Sequence, residues 1–194
     1  MTDFFTEFDA ERWHFTYVDE NDHSLPVQKI GIVATFHLLD AYLPIRREGI
    51  AQAFSLYNEL YGDKLKGGYR EDKGMIVRPF SKMSADDYKN YILTTSPMSA
   101  IEFGCMSRLS LQHTSDYMFG VFSPEGWFEK IHKSFTTIRI YLPIEELQGE
   151  GKERFEIFLL KCCACLRPIH GAAGLGIQEC QNWEDYQTLE YETA

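Results

Sequence analysis

The chain has 194 residues, 44% of them apolar, enough to bury a proper core within one domain spanning residues 1–194. Its 29 acidic and 19 basic side chains leave a net charge of −10, which argues against nucleic acid as a ligand. No run of eighteen apolar residues occurs, so no membrane-spanning helix is expected, and the opening Met1 to Glu7 lacks the basic start and apolar core of a secretory signal, so the expected compartment is the cytoplasm.

The excess charge is confined to the ends. Residues 1–28 hold seven acidic side chains against one basic, and residues 179–194 hold five against none, which leaves a balanced core over 29–178. An anionic surface of this kind steers basic partners toward it.

In chain order, Lys29 to Asp40 is β-branched, aromatic and nearly continuously apolar, which predicts a central strand covered on both faces, with His37 as a satisfied strand residue. Pro44 opens a segment where Ile50, Phe54, Tyr57 and either Leu60 or Tyr61 recur at helical spacing, predicting a helix over 45–61 that stops at Gly62. Gly67 to Gly74 mixes turn formers with charge and reads as an exposed loop suited to binding, ahead of a short strand over 75–80. Ser84 followed by Asp86 and Asp87 marks a helix start, with Tyr88, Tyr91 and Ile92 on one side of the helix. Residues 100–110 and 115–123 form a predicted hairpin, and Pro124 to Trp127 a turn carrying a large aromatic. A strand over 135–142 leads through Pro143 to a helix over 150–166. Beyond the glycine segment, Asn182 to Tyr186 predicts a cap and a short acidic helix.

Five cysteines is an odd number, and Cys162, Cys163 and Cys165 crowd one helical turn, which rules out a regular disulfide framework. Cys162 and Cys165 have a metal-ligand spacing, yet Phe155, Phe158, Leu159, Cys162, Cys163 and Leu166 recur at three and four, so the thiols read as small core residues and no metal or cofactor is expected. The segment Leu166 to Gln178 ends a helix at Pro168 and places glycine at 171, 174 and 176. Its order, helix before glycines, and its spacing fit neither phosphate signature, so it reads as a buried strand whose missing side chains admit a neighbouring helix. The whole order predicts an α+β fold, a mainly antiparallel mixed sheet covered by helices.

The stretch Leu166-Arg-Pro-Ile-His-Gly-Ala-Ala-Gly-Leu-Gly176, with the strand and helix of 29–61 and the strand from Phe135 to Pro143, resembles the TsiV-type immunity proteins that neutralise VRR-Nuc nuclease effectors of type VI secretion. The resemblance spans about residues 29–178 and implies a mixed α/β scaffold that binds a nuclease effector without turnover. Members of that family run longer, so a shortened C-terminal part is expected here. A nuclease presents Lys and Arg to phosphate, so its inhibitor gains from carboxylates and aromatic anchors. The expected contact groups are Trp183, Glu184, Asp185 and Tyr186, with Glu125 and Trp127 in the turn and Asp86 and Asp87 at the helix start. Each also has a plain structural role, the tryptophans as core residues and the aspartates as helix-start charges. The alternative reading is a small thiol-dependent hydrolase or transferase centred on His170 and Cys162, Cys163 and Cys165.

Overall fold

The computed structural model describes residues 15–181. Eight strands and four helices follow one another as β1 (Tyr17–Val18), β2 (Pro26–Leu38), α1 (Pro44–Tyr61), β3 (Gly67–Arg70), β4 (Arg78–Pro79), α2 (Lys82–Thr94), β5 (Ile101–Met106), β6 (Met118–Ser123), α3 (Gly126–His132), β7 (Thr136–Leu142), α4 (Gly151–Leu166) and β8 (His170–Glu179). Every strand pairing is antiparallel. Residues Ile32 to His37 of β2 pair with both β7 and β8, which therefore flank β2, and the sheet continues through β6, β5 and β3 to β4. This is the expected α+β architecture.

The period-2 alternation of the strands sorts the side chains. Ile32, Ala34, Phe36 and Leu38 of β2 and Ile138, Ile140 and Leu142 of β7 turn to the helices and are buried. Against them α1 lays Ile50, Ala53, Phe54 and Tyr57, and the Phe54 ring meets Phe103 edge-on at 5.8 Å and Phe119 at 5.4 Å. Burying one such ring is worth roughly 2–3 kcal/mol. Helices α1 and α4 pack closely at Gly49, where an added Cβ would overlap the carbonyl oxygen of Cys165. Because backbone cannot step aside as a side chain does, Gly49→Val is expected to cost about 3 kcal/mol, read as a lower urea midpoint at unchanged m-value.

The opposite face of the sheet is only partly covered. Tyr69, Met106, Met118 and Tyr141 form a second buried cluster there, backed by Met75, Val77 and Leu111 from the connecting segments. Val33, Thr35 and His37 remain partly exposed, so β2 is covered fully on its helix side alone, in contrast to the expected double burial.

Four other expectations are corrected. Gly67 to Arg70 is the buried strand β3, because its glycines serve packing: a Cβ on Gly68 would collide with the Tyr88 hydroxyl. Helix α2 begins at Ser81, whose hydroxyl accepts from the Ser84 amide in a capping box, so Asp86 and Asp87 lie past its first turn. Trp127 belongs to a helix, α3, that starts at Gly126. The glycine strand forms as β8, but it is an exposed edge: a Cβ on Gly174 would meet nothing within 4 Å.

Candidate functional site

Four separate pieces of chain, 70–72, 87–95, 98–100 and residue 125, build an acidic cavity of about 710 Å³ at the β3 side of the sheet. Strand β3 ends at Arg70 and runs into a single 3-10 turn, Glu71–Lys73, closed by Gly74 at φ 74°, a left-handed value that suits glycine. Helix α2 contributes Asp87, Asn90, Tyr91 and Thr94 from one face, since residues three and four apart are neighbours on a helix. Glu125, the residue before α3, completes the wall.

Arg70 is held inside this ring of acids. Its guanidinium donates to both oxygens of Asp72 at 2.8 and 2.7 Å and lies 4.1 Å from the centre of the Tyr91 ring. Glu71, Asp87 and Glu125 have no ion-pair partner among the described residues. Three carboxylates therefore remain to attract an incoming cation. Among the described residues no group of His, Cys, Asp or Glu is arranged to hold a metal ion. The arrangement suits bulky cationic side chains, which carboxylates spread around a wide rim can meet one by one.

Beyond this cavity lies a second hollow of about 530 Å³ on the helix-free face, lined by Tyr69, Glu102, Phe122, Thr137, Arg139 and Gln181. Burial raises the Glu102 carboxyl above its ordinary 4.5, and the charge of Glu71 raises it further. The folded chain thus holds the Glu102 proton more tightly than the unfolded chain does. Its contribution favours the fold below the unfolded value and is lost as pH rises through the folded one. Glu102→Gln, which removes the charge and keeps the shape, should therefore gain stability relative to the parent as pH climbs from about 4 to about 7. Urea titrations at a series of pH values measure this, and a gap that is constant with pH would refute it.

The eight expected contact residues divide in four ways. Asp87 and Glu125 line one cavity although they come from different elements. Trp127, two residues beyond Glu125, is 46% exposed and packs edge-on against Phe128 at 5.6 Å, so it is a surface aromatic and not a core residue. Asp86 faces solvent beside the cavity wall and pairs with Lys89 at 2.8 Å. Trp183, Glu184, Asp185 and Tyr186, with the expected acidic helix, lie outside the described residues. Sequence reasoning missed Glu102 as a site residue, although its place between inward Ile101 and Phe103 signals a side chain on the other face.

The thiol and imidazole groups of the alternative reading do not converge. His170 pairs in register with His37 and stacks on its ring at 6.0 Å, on the face turned away from the helices. Cys162 is fully buried in the helix-side core, and burial pushes its thiol up, away from the thiolate a nucleophile needs. Cys165 is raised for the same reason and donates to the Cys162 carbonyl, while Cys163 faces solvent.

A family model described as TsiV, type VI immunity for VRR-NUC, matches residues 49–194. No curated protein matches the chain significantly. Among solved structures, the Pseudomonas aeruginosa T6SS protein PA0821 shares the fold, with a TM-score of 0.74 at 17% identity over 92% of this chain and 50% of that one. The present chain thus spans about half the length of that relative.

Proposed function

Because the chain belongs to the TsiV family of type VI immunity for VRR-NUC, we propose that it neutralises a cognate VRR-Nuc effector by stoichiometric binding, without catalytic turnover, in the cytoplasm. The acidic cavity and the adjoining Trp127 form the contact surface, and they occupy the basic groove through which the effector takes hold of DNA. The observation that carries this reading is the meeting of Glu71, Asp87 and Glu125 around one cavity, with Trp127 exposed two residues beyond Glu125.

A DNA-cleaving enzyme must present cations to phosphate, so an array of carboxylates without internal partners is complementary to it. Charge sets the approach, and the aromatic anchor sets the residence time. Asp86 lies at the rim. Trp183, Glu184, Asp185 and Tyr186 are included on charge and aromatic character alone, following Gln181 at the second hollow.

The test is reconstitution with a cognate VRR-Nuc effector. DNA cleavage should stop at equimolar inhibitor. The association rate should fall steeply as salt rises, because screening shortens from about 10 Å at 0.1 M to about 3 Å at 1 M. Undiminished cleavage at equimolar inhibitor would sink the proposal.

A further inference from the structure

The two edges of the sheet are built very differently. At one end β4 is two residues long, Arg78–Pro79, and a short strand carrying a cation and a proline is a poor template for further pairing. At the other end β8 runs for ten residues, paired one to one with β2 from Glu179 to His170 with no bulge. It contains no proline and no Lys or Arg, and its only carboxylate is Glu179 at the last position. Among the described residues no helix or strand covers its free edge, and Leu175 and Ile177 are 48% and 51% exposed. Among the described residues none of the usual devices that protect an edge is present from Gly171 to Ile177, whereas Glu179 is held by Arg139 and by the Tyr141 hydroxyl.

We propose that β8 pairs antiparallel with β8 of a second copy of this chain, about a two-fold axis at Gly174, joining two eight-stranded sheets into one. The order of side-chain sizes selects this occupant. The first half of the strand is small, Gly171-Ala172-Ala173-Gly174, and the second half carries the bulk, Leu175 and Ile177. In the two-fold register Leu175 faces Ala173 of the other copy and Ile177 faces its Gly171, so every large side chain on that face meets a small one. Gly174 meets its own counterpart, where the absence of side chains allows the closest approach. Glu179 is turned away from the pair, its carboxylate on Arg139 at 3.2 Å and its amide donating to the Tyr141 hydroxyl, so no like charges oppose one another across the joined strands. A two-fold pairing also closes on itself, leaving only the blunted β4 edges.

The dimer leaves the acidic cavity free, because β3 stands five strands from β8. The inference does not rest on effector binding. It also responds to salt in the opposite sense: each copy carries a charge of −10, so screening their mutual repulsion strengthens the dimer.

Sedimentation of the full chain from low to high micromolar concentration tests this. The mass should move from 22.5 kDa toward twice that value, at lower concentration when salt is raised. Leu175→Lys places a cation on the edge and should shift the monomer–dimer midpoint upward at least tenfold, with the melting temperature preserved because Leu175 is exposed. Leu160→Lys on the outer face of α4 should leave the midpoint in place. In a Cys163→Ser background, which removes the solvent-facing thiol, Gly174→Cys should form a disulfide-linked dimer under mild oxidation that the background chain does not form, since opposed Cα atoms in an antiparallel pair lie about 4.5–5.5 Å apart, within disulfide reach. A chain that stays monomeric at high concentration and salt, or a dimer indifferent to Leu175→Lys, overturns the proposal. So does a monomer whose β8 edge is engaged only when an effector is added.

Discussion

Replacing Glu71, Asp87 and Glu125 together by lysine should weaken effector binding by a hundredfold or more. Each reversal removes one attraction and installs one repulsion at the cavity, worth about 1 kcal/mol apiece at a partly solvated rim, and three such changes exceed a factor of about 100. The loss should fall mainly on the association rate and shrink at high salt, because long-range attraction is what the reversal destroys. Trp127→Ala should act through the other rate. An exposed aromatic that becomes buried on binding is worth about 2 kcal/mol, so dissociation should speed up roughly thirtyfold with little change in association or in salt dependence. Folding should be preserved in the triple variant and in Trp127→Ala, since none of these side chains belongs to the core. Stopped-flow association at several ionic strengths separates the two classes, and equal effects on both rates from both classes would count against a division between steering and anchoring.

Arg47→Leu should cost about 3–5 kcal/mol of stability, lowering the melting temperature by roughly 10 °C. Arg47 is 3% exposed, and its guanidinium donates to the carbonyl of Ala41 at 3.1 Å and to those of Ile92 and Thr95 at 3.2 Å each. Ile92 and Thr95 stand at the C-terminal end of α2, where helix carbonyls lack intrahelical partners, so one buried side chain caps the helix that walls the cavity. Burial lowers the Arg47 pKa, and the nearby Tyr91 and Glu129 oppose that shift. Leucine fills the space but leaves three carbonyls unpaired and the buried Glu129 without its neighbouring cation. A variant within about 1 kcal/mol of the parent would show that water reaches these carbonyls and that the arginine is dispensable.

Helices α1 and α4 were legible because Ile50, Phe54 and Tyr57, and Phe155, Phe158 and Cys162, repeat at the helical period, and each helix buries that one stripe. Strand β3 was not legible. Two adjacent glycines have the composition of a turn, and only Tyr88, brought over Gly68 by α2, and the Arg108 carbonyl beside Gly67 show that both positions need the clearance. The glycine strand misled in the opposite direction: small residues fit a buried crossing as well as an exposed edge, and which of the two holds depends on what lies beside β2 in space. The carboxylates of the cavity were legible one at a time as charge. Their meeting was not, because Asp87 and Glu125 reach one wall only in the folded chain, where the Gly126 amide donates to the Pro97 carbonyl just beyond α2.

The central claim, that the acidic cavity and DNA compete for one surface of the effector, is tested most directly by displacement. Labelled DNA bound to a cleavage-deficient effector should be released completely by one equivalent of the immunity protein, and the Glu71, Asp87, Glu125 triple lysine variant should fail to release it. A stable ternary complex, with DNA still bound while the immunity protein is fully engaged, would contradict the account.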